Sequence, residues 1–498
     1  MKGRLFLLLV VLLVAVAIRL CSSPHYLGAP AADHDSAPMA IQQPLGDDLR
    51  GSCTAFLALQ GRSLLREGFA ATGGLPLLNI ADTEPQHFWY YDHHTPGVAW
   101  ITSASLALFG DTEASARCVA LLFSTLTTLL LAGWIAKHLG LGPACVAAAA
   151  HIFLPMGWYW GLHLNYEVPC MTFCLLFLTQ CLGDRPTRSS TALAVIALVL
   201  GFFMDVVIAF AVLAVMLEEC LRRRYRPAMG WGALLGLVGF LWVGWRLVQV
   251  GRHGHTAGSD LLAHLQNSTM LSETFAARPW SSFVLGSLLL MCAGWPLAIL
   301  GFEFLQSLFR SVSTGPGRLL RASLLLATLN VVVPAIQASS HEYYTLYFQI
   351  PLCVAFALFT QRLGAGLKSW SPRKSTLLVS SVLSLLLVAT GLQAELNRLP
   401  PQSHFPSAHR LGQELAGTAG PAAILLEPPR AGDPSWQLIV SMYYSGHFIA
   451  DVPADVAESA VRDSLLRPLG LEDAPIWLAR DRTWPGRGGV VPWPVATD

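Results

Sequence analysis

Residues 117–167 read RCVALLFSTLTTLLLAGWIAKHLGLGPACVAAAAHIFLPMGWYWGLHLNYE. Two apolar runs, 117–136 and 142–161, flank a short linker charged by Lys137, and the second ends in a turn crowded with aromatic and hydrogen-bonding side chains. A bilayer core roughly 30 Å thick is crossed by about 20 apolar residues in a helix. A helix is also the one open-chain structure that pairs its own backbone groups in lipid. Each run therefore reads as a membrane span. Working outward, the pattern recurs at 4–20, 167–182, 191–204, 206–219, 229–249, 281–306, 322–338, 344–361 and 376–393, eleven candidates in all. The runs 191–204 and 206–219 are short and read equally as one hairpin, a choice that leaves the parity of the chain unchanged.

Composition agrees with this reading. Of 498 residues, 53% are hydrophobic and 13% charged, about half the charge of an average soluble domain. The net charge is +1 and the basic residues sit in short clusters between apolar runs, which gives no nucleic-acid surface. Most of the ten cysteines lie inside apolar runs, and the absence of any C-x-x-C pair indicates neither a zinc site nor a disulfide framework.

Lys and Arg collect on the cytoplasmic side of short loops. Lys2 and Arg4 precede the first run, and basic residues follow every second run thereafter: Lys137, then Arg185 and Arg188, then Arg222, Arg223, Arg224 and Arg226, then Arg310, Arg318 and Arg321, then Arg362, Lys368, Arg373 and Lys374. Counting the apolar stretch 97–109 as a span would put these clusters outside, so it reads as an interfacial helix. Residues 1–20 read as a first span or as a cleaved signal peptide, the retained anchor being favoured because no A-x-A-like site follows and Arg19 flanks the run; either leaves the next loop outside. The first extracytoplasmic loop is 21–116, the transmembrane core 117–393 and an extracytoplasmic C-terminal domain 394–498. In that last part Ala422–Glu427 and Ile476–Arg480 read as strands, and Ser435–Tyr444 and Asp455–Leu466 as helices, a small α/β module. The fold class is an all-α polytopic membrane protein with about eleven transmembrane helices, interfacial helices in its first outer loop and this soluble tail.

Three constellations fall on the outer face. Phe88–Pro96 (FWYYDHHTP) joins aromatics to Asp92, His93 and His94; Trp158–Glu167 (WYWGLHLNYE) joins His163, Asn165 and Tyr166 to Glu167; Ser339–Tyr347 (SSHEYYTLY) brings His341, Glu342 and Tyr343. Each also has a plain reading. Aromatics form interfacial belts, and a carboxylate such as Glu167 is favoured at a helix N-terminus. Imidazoles beside a helix start can equally bind a lipid phosphate. Asp205, in the turn between the two short runs, is a further outer carboxylate that reads as a turn cap.

The run YYDHHTPGVAWITSASLALFGDTEASAR, followed by a span, a basic linker, another span and LNYE, resembles the family-39-like glycosyltransferases of the GT-C superfamily, relatives of protein O-mannosyltransferases and aminoarabinose transferases. His94, Pro96, Phe109, Gly110, Glu113 and Arg117 occupy the family pattern, while Thr95 and Gly97 depart from it. SSHEYYTLYFQIP and the later YYSGHFI resemble further outer segments of that family. The resemblance implies a GT-C type fold that transfers a sugar from a polyprenyl-phosphate-linked donor to an extracytoplasmic glycan, lipid or protein, with inversion. It implies an acidic base in the first outer loop, for which Asp48 is first choice and Asp92 and Asp82 are rivals, and a second acid, Glu167, assisting acceptor or metal. His93 and His94 fit the departing phosphate. No cofactor is implied beyond a divalent cation that two or three outer carboxylates could hold. Membrane lipids are the other partner, in a bacterial-type inner membrane. A polytopic transporter or flippase is the competing class; few charges at mid-helix and no internal repeat stand against it.

Overall fold

The computed structural model describes Leu13, Ala17 and residues 49–77, 88–91, 94–161, 163–183, 187–253, 255–256, 280–292, 294–309, 315–338, 342–367, 371–398, 423–426, 448–451, 476–479 and 491–492. In chain order the elements are α1 (Leu49–Glu67), β1 (Trp89–Tyr90), α2 (Gly97–Phe109), α3 (Glu113–His138), α4 (Leu141–Phe153), α5 (Pro155–Trp160), α6 (Glu167–Cys181), α7 (Arg188–Met204), α8 (Ile208–Leu221), α9 (Tyr225–His253) and β2 (His255–Thr256). They continue as α10 (Trp280–Cys292), α11 (Trp295–Phe309), α12 (Gly315–Val332), α13 (Ala335–Ala338), a 3-10 turn Glu342–Phe348, α14 (Gln349–Gly366), α15 (Pro372–Arg398) and strands β3 (Ala423–Leu426), β4 (Phe448–Asp451), β5 (Ile476–Ala479) and β6 (Val491–Pro492).

Among the described residues four helical stretches are long and apolar enough to cross a membrane by themselves: Glu113–His138, Tyr225–Val248, Tyr343–Gly366 and Lys374–Gln393. Shorter apolar helices, α4, α6 and α7 among them, pack between these. Helix α14 lies at the centre of the bundle, with 78% of its apolar window buried, and α9 at the rim with 6%. Leu237, Phe240, Leu241 and Leu247 of α9 accordingly face outward. Lipid is as apolar as leucine, so helix association here rests on close approach and polar contacts rather than on water exclusion. Helix α4 supplies the first, being buried through Ala144, Ala147, Ala148 and Ala150 against α3, α14 and α15. The second comes from Thr127 bonded to Thr172 at 2.7 Å and Thr128 to the His151 Nδ1 at 2.9 Å, each contributing on the order of 0.6 kcal/mol.

One boundary differs from expectation. The run 281–306 is divided into α10 and α11 at Gly294, whose φ of +72° is a left-handed conformation that ends a helix without a Cβ penalty. The interfacial stretch 97–109 is one helix, α2, starting at Pro96 and stopping at Gly110. Helix α2 packs on α1 and leaves Leu108 and Phe109 exposed. In the tail, β3 and β5 fall where strands are expected, and pair in parallel; β4 joins β3 in parallel and β6 closes on β5 antiparallel, giving the order β4-β3-β5-β6. The expected tail helices 435–444 and 455–466 lie outside the described residues, as do residues 2–12.

The two ends of the bundle have opposite chemistry. At one, Glu218 and Glu219 in the last turn of α8 pair with Arg321 and Arg318 of α12, and Glu303 pairs with Arg362. Asp205 at the start of α8 marks the other, about 20 Å away along 14 residues of helix.

Candidate functional site

At the Asp205 end, the site begins with how α2 meets α7. Gly97, the first residue of α2, rests on the Phe203 carbonyl, so that any Cβ at 97 would overlap backbone. This contact sets the preceding residues against the turn after α7. His94 Nδ1 lies 3.4 Å from Asp205 Oδ2, an ion-pair distance when the ring is protonated. Asp205 also does what its position in the turn suggests, since its Oδ1 accepts from the Val207 amide at 3.3 Å. One carboxylate therefore closes the α7–α8 turn and receives the histidine.

The 163–167 turn forms the next layer. Tyr166 stacks face to face on His94, with ring centroids 4.0 Å apart and planes at 9°. Its hydroxyl donates to Gln60 Oε1 of α1 at 3.0 Å, and the Thr54 hydroxyl accepts from the Leu164 amide at 3.1 Å. The first-loop helix α1 thus holds the turn from one side. Burial pushes the Tyr166 hydroxyl well up from its ordinary range, which keeps it a donor. Tyr90 in β1 is likewise pushed up to about 12 by burial. Asn165 supplies the helix cap, its Oδ1 accepting from the Val168 amide at 2.9 Å. Glu167 is therefore not required as a cap.

Glu167 and Asp205 are 3% and 2% exposed and lie within each other's electrostatic field. Two buried carboxylates repel unless a proton or cation is shared with them. His94 offers one such counter-charge to Asp205. The third constellation joins from the 3-10 turn: Tyr343 packs edge-on to Trp160 at 5.7 Å and stacks on Tyr344 at 5.0 Å. Tyr343 and Tyr344 both lie within electrostatic range of Glu167, Tyr91 and Cys53. The His163 ring is half-buried and its amide donates to the Trp160 carbonyl at 3.1 Å.

Of the residues singled out in the sequence, His94, His163, Asn165, Tyr166, Glu167 and Tyr343 are described, and His94, Tyr166, Glu167 and Tyr343 are gathered with Asp205 at one end of the bundle. Asp48, Asp82, Asp92, His93 and His341 lie outside the described residues, as does the side chain of Glu342. Gln60 and Thr54 enter the site without having been selected and carry no signal within their own helix; Asp205, read in the sequence as a further carboxylate and turn cap, also receives His94. Among the described residues no three His, Cys, Asp or Glu side chains converge as a metal's ligand set.

Residues 93–245 of the chain match the family described as dolichyl-phosphate-mannose-protein mannosyltransferase. The fold is similar to that of ArnT from Cupriavidus metallidurans bound to undecaprenyl phosphate, with a TM-score of 0.62 and 14% identity over 96% of this chain and 93% of that one. The apo state of the same protein gives 0.61 and 13% over the same shares. No curated protein sequence matches the chain. The matched segment is the one that carries His94, Tyr166, Glu167 and Asp205. The chain is thus a helical integral membrane protein whose fold is similar to that of ArnT.

Proposed function

We propose that the chain transfers a sugar from a polyprenyl-phosphate-linked donor to an extracytoplasmic acceptor. The observation that carries this reading is the cluster of half-buried His94 with buried Asp205, Tyr166 and Glu167 beneath the first-loop helices of a fold of this type. The reaction needs a carboxylate to take the acceptor's hydroxyl proton and a cationic group to receive the departing phosphate. The acceptor oxygen forms a bond to the anomeric carbon as the bond from that carbon to the phosphate oxygen breaks. The proton passes to the carboxylate, the electron pair leaves with the polyprenyl phosphate, and a single displacement inverts the centre.

In this scheme His94, held by Asp205 and backed by Tyr166, faces the leaving phosphate together with His93. Tyr166 acts as a positioning residue, since its hydroxyl is committed to Gln60 and its ring face to His94. Asp48, adjacent in sequence to the first residue of α1, is the proposed base, with Asp92 and Asp82 as rivals. Helix α1 reaches the cluster through Cys53 and Thr54. Glu167 orients the acceptor, with Asn165, His163, Asp92, His341, Glu342 and Tyr343 around donor and acceptor. A divalent cation would take its remaining ligands from the first-loop acids, and loss of transfer on chelation with recovery on metal addition is its test. Against a transporter, Glu167, Asp205, Glu218 and Glu219 stand at helix ends rather than mid-helix, and Glu303, inside α11, is paired with Arg362.

Mass spectrometry of cell-surface glycans with and without the gene identifies the product. Glu167→Gln and His94→Ala each abolish it while membrane insertion is unchanged; normal glycans in both variants overturn the assignment. The outward-facing site is tested by cysteine labelling, which should reach position 92 from outside and position 223 only after permeabilisation.

A further inference from the structure

The basic end of the bundle holds a cavity that the transfer chemistry does not use. It measures about 450 Å³ and opens between the last turns of α6 and α8 and the first turns of α7 and α9. Ala194, Val215, Trp231 and Leu234 give it apolar walls, with Trp231 held edge-on to Phe177 at 5.2 Å. Glu219, Arg224 and Gln180 make its polar end.

The charges at that end do not cancel. Glu219 is 3% exposed; its Oε1 accepts from Arg318 Nη2 at 3.1 Å, and its Oε2 lies at an ion-pair distance of 3.1 Å from Arg224 Nε. Glu218 takes both nitrogens of one edge of Arg321, at 2.8 and 2.9 Å. Arg222 is near enough to act on Arg318 as well. Among the described residues, four arginines therefore gather around the two carboxylates Glu218 and Glu219 at a membrane boundary. The backbone is shaped to this end. The Arg223 amide bonds the Cys220 carbonyl and the Arg224 amide the Glu219 carbonyl, both at 2.8 Å, which is the double bond of a Schellman turn. Its left-handed position, usually a glycine, is held by Arg223 at φ 59°. The turn folds Arg224, 41% exposed, back over the cavity mouth.

We propose that this cavity binds an anionic phospholipid of the adjacent leaflet, its phosphate on Arg224 and the first methylenes of an acyl chain along Trp231 and Leu234. Arginine takes phosphate through two parallel donors, and basic pockets between membrane helices on the cytoplasmic side suit such head groups. Glu219 does not oppose the anion, because Arg318 still holds that carboxylate when Arg224 turns to the phosphate. Inorganic phosphate would leave the apolar wall unused, and a zwitterionic lipid would leave the excess positive charge uncompensated. The site is independent of the sugar-transfer reading.

Gly230 provides a clean test. It lines the cavity within α9, and a Cβ there meets nothing within 4 Å, so Gly230→Leu fills the space and leaves every charge in place. Arg224→Gln removes the phosphate partner and leaves Glu219 bonded to Arg318. The full chain, purified in mild detergent, is compared by native mass spectrometry for retained phosphatidylglycerol, and by thermal midpoint with added phosphatidylglycerol, phosphatidylcholine or inorganic phosphate. Phosphatidylglycerol should be retained and raise the midpoint in the wild type only, with the lipid-free midpoint of Gly230→Leu no lower than that of the wild type. Equal protection by phosphatidylcholine or by inorganic phosphate, or retention of phosphatidylglycerol by Gly230→Leu, overturns the proposal.

Discussion

Replacing Gly97 with alanine should separate His94 from Asp205 while leaving the bundle assembled. A Cβ at 97 would stand 2.7 Å from the Phe203 carbonyl carbon and from Met204 Cε, and nearer still to the Phe203 oxygen. The methionine tip can swing away; the backbone of α7 cannot. Carbon atoms sit comfortably at about 3.5 Å, so the first turn of α2 must retreat by roughly 0.8 Å. Thr95 and Pro96 are the only links between this turn and His94, and Pro96 fixes one of them. The displacement passes to the imidazole and stretches the 3.4 Å contact with Asp205 beyond the roughly 4 Å limit of an ion pair. A misplacement of this size in a reacting site costs about 10²-fold in rate, whereas overpacking at one position costs about 1–3 kcal/mol of stability. Glycan output by mass spectrometry, normalised to the protein in the membrane fraction, reads the first effect. Gly133→Ala, where the added carbon meets nothing within 4 Å, is the control and should be silent. Wild-type glycan output from Gly97→Ala at equal membrane abundance would refute the proposed coupling.

Asp205→Asn should abolish transfer as fully as Glu167→Gln while preserving the turn, because an amide oxygen can still accept from the Val207 amide; retained transfer would remove Asp205 from the chemistry. Tyr166→Phe keeps the stack on His94 but leaves the Gln60 oxygen without its donor, and should cost about 1–3 kcal/mol in thermal unfolding with a smaller loss of transfer than Tyr166→Leu, which removes the stack. Arg223→Gly relieves a left-handed side chain and should stabilise the chain by about 1 kcal/mol, measured as a rise in thermal midpoint.

The helical, polytopic fold class could be read from the runs themselves because an apolar run is a local property: it needs no partner to be recognised. The strands Ala423–Leu426 and Ile476–Ala479 were legible for the same reason, as short aliphatic runs between turn formers. Phe448–Asp451 was not, since half of its alternation is hidden at a boundary with polar residues. The break at Gly294 was hidden by apolar residues on both sides of it. The pairing of His94 with Asp205 spans 111 positions of chain and depends on one glycine touching one carbonyl, an encounter that no periodicity records. Gln60 is similar: its role exists only once Tyr166 lies across it. What the sequence did carry was the company each polar group keeps, three segments where acids, imidazoles and aromatics recur together.

Helix α8 is anchored twice over, by Asp205 at its origin and by the two glutamates of its last turn. A rod held at one end by the His94 contact to Asp205 and at the other by the arginine pairs of Glu218 and Glu219 cannot slide or tilt without breaking them, so it serves as the fixed reference of the molecule. Rearrangement is then taken up by less deeply packed neighbours, the rim helix α9 foremost. The separation between Asp205 and the arginines across the membrane should stay constant in every liganded state, a ruler against which the motion of the rest can be measured.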